Sequence, residues 1–217
     1  WFGNFLTGAS ISLVTPFMPL FVEQLGARGH EVEYYAGLGI SLSAISAALL
    51  SPVWGSLADR YGRKPMMIRA ATAMVFTMGG IAFVPNIFWL LLLRFLNGVF
   101  AGYVPNSTAL IASQAPKEKT GYALGTLSTG VVAGNFMVPF IGGLIAEMFG
   151  IRNVFLLIGG FFLVAALMTF YLIREDFVPV TRQEEVGFRE LLRQLRYPKM
   201  LINLFLTALS SSLQLNL

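Results

Sequence analysis

The chain has 217 residues, of which 56% are hydrophobic and only 12% charged, with no cysteine and a mean hydropathy of +0.70. An ordinary soluble domain carries about twice that share of charge, so there is too little polar side chain here to cover a water-facing surface. A disulfide framework and a thiolate metal site are excluded, and the net charge of +4 does not imply nucleic acid, because the basic residues sit beside long apolar runs.

Six complete apolar spans and the start of a seventh are predicted, each roughly 20 residues long, the length that crosses about 30 Å of hydrocarbon as a helix. The first covers residues 1–22 and is closed by Glu23, with a polar loop at 26–34 holding His30, the only histidine. The second covers 35–58 and ends in a charged hairpin, Asp59-Arg60-Tyr61-Gly62-Arg63-Lys64-Pro65. The third is 66–84, followed by a minimal Pro85-Asn86 turn, and the fourth is 88–112, interrupted by Arg94. The fifth, 122–146, is rich in glycine, and a turn at 147–153 leads to the sixth at 154–173. The chain thus divides into a six-span bundle at 1–173, a polar linker at 174–199 and the start of a seventh span at 200–217. In the linker, Phe188, Leu191, Leu192 and Leu195 fall at i, i+3, i+4 and i+7 opposite Arg189, Arg193 and Arg196, the pattern of an amphipathic helix lying on a membrane surface.

Assigning the loops alternately to two sides places Arg60, Arg63, Lys64, Arg69, Lys117, Lys119, Arg174 and the basic residues of the linker together, against only Arg28 and Arg152. Lys/Arg bias sets orientation, so the hairpin 59–65 and the linker 174–199 are expected to be cytoplasmic in a multi-pass protein of the cell membrane. Offset by about 88 residues, Gly55, Leu57, Ala58, Asp59, Tyr61, Gly62 and Lys64 meet Gly143, Ile145, Ala146, Glu147, Phe149, Gly150 and Arg152. The two loops so matched lie on opposite sides, which is the signature of an inverted repeat of two three-helix units, as in secondary transporters.

Three features carry chemistry. Asp59 lies at the end of span two before a run of cations, where it can pair with Arg63 or face a helix N-terminus. With Gly55, Arg60, Gly62, Arg63 and Lys64 it makes either a cytoplasmic latch or a simple positive anchor. Acids contribute little to topology, so Asp59 is the residue that separates these two. Arg94 sits inside a span, where a cation is a functional hypothesis by default, with snorkelling to the headgroups as the alternative. It is expected to tune the proton affinity of an acid. Glu23 and Asp59 are the only acids near hydrocarbon, both at span ends, which leaves the main proton acceptor outside this part of the chain. Gly125, Gly130, Gly134, Gly142 and Gly143 make one side of span five smooth, and Pro139 bends it. That side serves either a leak-resistant interface or ordinary helix packing. Candidate cavity residues are Asn4, Thr7, Ile11 and Thr15 on one face of span one, with Asn97, Tyr103, Asn106, Asn135 and Phe136. A greasy, aromatic, sparsely charged pocket suits lipophilic small molecules better than sugars. Enzyme signatures are missing: there is no Gly-x-Ser-x-Gly, no phosphate-binding loop and no histidine pair.

The hairpin Gly55-x-Leu57-Ala58-Asp59-Arg60-x-Gly62-Arg63-Lys64 resembles the loop signature of the major facilitator superfamily. Arg94-x-x-Asn97-Gly98-x-x-Ala101-Gly102 resembles its fourth-helix motif, with Asn97 where glutamine is commoner. Gly134-x-x-x-Val138-Pro139-x-x-Gly142-Gly143 resembles the fifth-helix motif of the drug:proton antiporter branch, with Val138 in place of glycine. The resemblance implies an all-α membrane protein, the N-terminal half of a twelve-span transporter whose C-terminal six-helix half is its partner. It also implies proton-coupled multidrug efflux by alternating access, with protons as the coupling ion and no cofactor. The alternatives are a transporter of a small metabolite or sugar on the same fold, and a half-transporter fragment that does not transport.

Overall fold

The computed structural model describes residues 1–175, which form helices and no strand. In order these are α1 (Phe2–Gln24), α2 (His30–Tyr61), α3 (Arg63–Ile81), α4 (Ile87–Phe100), α5 (Tyr103–Gln114), α6 (Thr120–Phe149) and α7 (Ile151–Leu172). α4 and α5 are two halves of one span, so the described residues make six. Five of these are long and apolar enough to cross a membrane. The sixth, α3, has 19 residues with Arg63, Lys64 and Arg69 in its first two turns, which dilute its hydropathy. The amphipathic helix expected in the linker and the start of a seventh span lie outside the described residues.

The structure corrects three expected boundaries. The polar loop at 26–34 shrinks, because His30 already opens α2, where Glu31 and Glu33 in the first turn complement the helix dipole. The turn at 147–153 reduces to the single residue Gly150 between α6 and α7. The fourth span is not one run over 88–112 but breaks at Ala101-Gly102. Pro105 has no N–H to give the carbonyl of Ala101, and its ring crowds that carbonyl. Gly102, at φ 132°, adopts the backbone geometry that resolves the conflict.

The inverted repeat is visible in the packing. α1 packs on α6, α2 on α4, α3 on α7, α1 on α7, and α3 on both α4 and α5. Exchange the first span with the fourth, the second with the fifth and the third with the sixth, and this set of pairs maps onto itself. The two matched turns also share one backbone conformation: Gly62 has φ 100° and ψ 159°, and Gly150 has φ 87° and ψ 160°. Each donates its N–H to the carbonyl four residues back, Ala58 and Ala146, at 3.0 Å.

The core runs along α1, α3 and α7. Phe21 and Phe155 meet with ring centroids 4.9 Å apart, among the fully buried Leu13, Met18, Ile81 and Ile158. α3 and α7 approach so closely at Gly79 and Gly159 that a Cβ on Gly159 would lie 2.9 Å from the Gly79 Cα. On the outside, Phe76 and Phe140 are 73% and 80% exposed. Apolar side chains turned outward along every span are what a hydrocarbon surround demands.

Candidate functional site

The charged hairpin gathers at one end of the bundle. α2 ends at Tyr61 and α3 starts at Arg63, so Gly62 alone reverses the chain. Asp59 and Arg63, one turn apart across that reversal, form an ion pair. Both are partly solvent-exposed, so the pair itself contributes at most about 1 kcal/mol. The guanidinium of Arg60 lies 5.4 Å from the Tyr61 ring centroid, and the Lys64 ammonium lies 6.0 Å from that of Phe170 near the end of α7. Among the described residues, nothing lies within 4 Å of where a Cβ on Gly55 would be.

Glu175, just past α7, was not singled out in the sequence. Its two carboxylate oxygens accept from the backbone N–H groups of Arg63 at 2.7 Å and Lys64 at 2.8 Å. The carboxylate thus caps the free N–H groups at the start of α3, where the helix dipole favours negative charge. Glu175→Gln is expected to cost about 1 kcal/mol and to speed amide exchange at Arg63 and Lys64. Unchanged exchange at those two amides would count against the cap.

Arg152 marks the opposite end. Its Nη1 donates to the carbonyl of Ala82 at 2.7 Å and its Nη2 to that of Val84 at 3.3 Å, with the guanidinium 5.6 Å from the Phe21 ring. Arg63 begins α3 and Arg152 closes its far end, about 28 Å away for a 19-residue helix. The two matched loops therefore lie on opposite faces of the bundle. Glu23 ends α1 close to Phe21, at the Arg152 end, while Asp59 is at the other end. Arg94 lies between them, 5% exposed. Its Nε donates to the Gly39 carbonyl at 3.3 Å, and its Nη1 lies 3.9 Å from the Met78 sulfur. The three residues expected to share proton coupling are thus three separate places, and among the described residues no carboxylate pairs with Arg94.

The candidate cavity residues divide in the same way. Asn4, Thr7, Asn97 and Asn106 are buried. Ser107 donates to the Asn4 side-chain oxygen at 2.7 Å, Asn97 to Thr77 at 3.3 Å and Asn106 to the Gly102 carbonyl at 2.7 Å. Tyr103 shares a hydrogen bond of 2.8 Å with Thr169. Thr15, Asn135 and Phe136 are instead exposed, as is Ile11. Asn4 and Asn97 bond between helices, while Asn106 bonds to the first turn of its own half-helix. The glycines of the fifth span also part company. Gly130, Gly134 and Gly142 face α1, whereas Gly125 and Gly143 face open space. α6 runs unbroken through Pro139.

A set of side-chain donors from α2 and α3 to carbonyls of the fourth span went unnoticed in the sequence. Ser43 donates to the Arg94 carbonyl at 2.6 Å, Ser46 to that of Phe95 at 3.0 Å and Trp54 to that of Val99 at 2.6 Å. Arg69 continues the series to Phe100 at 3.4 Å and Ala101 at 3.3 Å. Ser43, Ser46 and Trp54 recur on one face of α2, and that spacing was the available signal.

Residues 1–216 match the Major Facilitator Superfamily. The chain belongs to this superfamily. It is 68% identical over 208 residues to the multi-drug resistance efflux pump PmrA of Streptococcus pneumoniae, covering 96% of this chain and 52% of that protein. It is 50% identical to a PmrA homolog of Lactococcus lactis and 46% identical to the multidrug resistance protein MdtG of Salmonella paratyphi A, again over about half of each. The chain thus spans about half the length of the relatives it matches. Among solved structures, the human organic anion transporter MFSD10 (TETRAN) superposes with a TM-score of 0.69 over 87% of this chain and 50% of that one. At 19% identity that likeness shows the major facilitator fold alone.

Proposed function

We propose that this chain is one half of a proton-coupled multidrug exporter that works by alternating access. It exchanges lipophilic small molecules for protons across the cell membrane, with the hairpin 59–65 on the cytoplasmic side. The family and the multidrug efflux relatives support transport of drug-like molecules. The structural observation that carries the coupling is Arg94, a cation buried among apolar helices and held by one carbonyl and one thioether. A cation so placed is costly in a bilayer and is suited to biasing the protonation of an acid supplied by the other six-helix half. Asp59 and Arg63 present a charged, partly exposed face that such a half can grip when the cytoplasmic side is closed.

The test is dye efflux from proteoliposomes containing the full-length protein, with and without an imposed pH gradient. Flux that needs the gradient is the expected result, and gradient-independent flux removes the antiport. A transporter that moves a sugar or metabolite but no lipophilic dye removes the drug substrate. In the same vesicles Asp59→Asn is expected to cut flux while leaving expression intact. Unchanged flux would reduce the hairpin to a topological anchor.

A further inference from the structure

We propose that Arg69 is the positioning residue of the broken fourth span: it supplies from α3 the donor that Pro105 withholds. This rests on the transporter reading only for its consequence for flux. A carbonyl at position 101 in a continuous helix would accept from the N–H of residue 105, and Pro105 has none. Arg69 Nη2 stands in for it, 3.3 Å from the Ala101 oxygen and 3.4 Å from that of Phe100. These carbonyls end α4, where the helix dipole favours a cation.

The guanidinium sits against α2, with its carbon 3.4 Å from the Trp54 ring centroid. Trp54 itself donates to the Val99 carbonyl at 2.6 Å. Two neighbouring helices therefore take the three consecutive carbonyls 99, 100 and 101 on which the intrahelical ladder fails. A planar, forked cation can stack and donate at once, which an ammonium cannot.

The two half-helices so joined carry different polar groups. α4 bears Arg94 and Asn97, and α5 bears Tyr103, Asn106 and Ser107. The brace fixes the angle between them, and with it the place of Ser107 against Asn4 on α1. Among the described residues, Arg69 Nε and Nη1 are buried without a partner. Donors left buried and unbonded raise the free energy of this arrangement, and a second angle of α5 that turned more freed carbonyls toward them would lower it.

The test is a double-mutant cycle in the full-length transporter: Arg69→Met, Pro105→Ala and both together. Each is read as dye flux and, separately, as the thermal unfolding midpoint. Arg69→Met is expected to lower maximal flux about tenfold, the scale of one lost charge-assisted hydrogen bond, with KM for the dye within about twofold. Arg69→Lys keeps the charge and a donor but cannot stack and donate at once, so it is expected to recover part of the flux and less than half. Pro105→Ala restores a backbone donor to Ala101, so adding Arg69→Met to it is expected to change neither flux nor midpoint further. Equal effects of Arg69→Met in both backgrounds, or full flux in the single variant, would overturn the brace. The unfolding cycle needs no transport. If the wild-type protein moves no dye, the transporter reading fails, and the coupling of 69 to 105 in the midpoints still decides the proposal.

Discussion

Replacing Gly134 by alanine should destabilise the bundle by about 1–3 kcal/mol, and replacing Gly143 should not. In lipid the solvent is as apolar as the side chains, so helices are held together by close packing, and small residues set how near two backbones can come. At Gly134 a Cβ would lie 2.2 Å from the Phe5 carbonyl oxygen and 2.6 Å from the Ala9 nitrogen. Both are backbone atoms of α1 and cannot rotate away, so α1 and α6 must separate. Gly8 meets the same seam from the other side, with a Cβ 2.4 Å from the Val131 carbonyl oxygen. Once either glycine has pushed the helices apart, the other clash is relieved, and Gly8→Ala with Gly134→Ala should cost less than the sum of the two. At Gly142 the nearest atom is the tip of Leu13, at 2.2 Å. That side chain can turn aside, so alanine there should cost less than at Gly134. Among the described residues Gly143 has nothing within 4 Å, and alanine there removes only backbone freedom from the unfolded chain. Thermal unfolding of the full-length variants in detergent measures the difference. Equal midpoints for Gly134→Ala and Gly143→Ala would mean that the seam does not hold the two helices together.

The outline of this fold was legible because its signals are local. Charges interrupt apolar runs, so the hairpin at 59–65 and the six spans stand out residue by residue. Gly62 and Gly150 could be matched because the same turn needs the same backbone freedom at both places. The break at Ala101-Gly102 was less visible although Gly102 and Pro105 are plain in the sequence. Hydropathy stays high across it, and proline is tolerated in membrane helices when something else satisfies the freed carbonyls. That something is Trp54 and Arg69, 47 and 32 residues away from Ala101, and no periodicity reports a bond between helices.

The candidate cavity residues divide between buried and exposed for a related reason. Asn4 and Thr15 do lie on one face of α1, being eleven residues apart, close to three full turns. That face is covered by α5 at Asn4 and open at Thr15. A stripe of polar residues predicts a direction and does not predict where along the helix the neighbour ends. The glycines of α6 show the converse. Gly130, Gly134 and Gly142 repeat at multiples of four, whereas Gly143 falls off that row, so helical spacing alone could have divided them.

Arg94→Met should cut gradient-driven efflux at neutral pH and shift its pH profile, while leaving the protein as stable as before, or more so. Arg94 is the most deeply placed cation among the described residues, 5% exposed, and a charged side chain at the centre of a bilayer helix costs roughly 3 kcal/mol on insertion scales. One carbonyl at 3.3 Å and a thioether at 3.9 Å compensate little of this. An apolar side chain of similar length removes the buried charge and fills the same space, a change that is often neutral or stabilising by about 1–4 kcal/mol. A residue kept for stability would behave in the opposite way. Under the proposed coupling the charge would act at a distance: on an acid as far as about 8 Å away, at an effective dielectric of ~20, it would exert about 2 kcal/mol, equivalent to ~1.5 pH units. The sign follows from the cation. It favours the ionised carboxylate, so without it the acid keeps its proton to higher pH and the pH at half-maximal flux moves upward. Arg94→Lys keeps the charge and should hold the profile near its original position at reduced flux. The pH dependence of dye efflux in the two variants, read beside their unfolding midpoints, decides the matter. A methionine variant with the wild-type profile, or one whose loss of flux is matched by loss of stability, would show that Arg94 packs the bundle and does not couple it to protons.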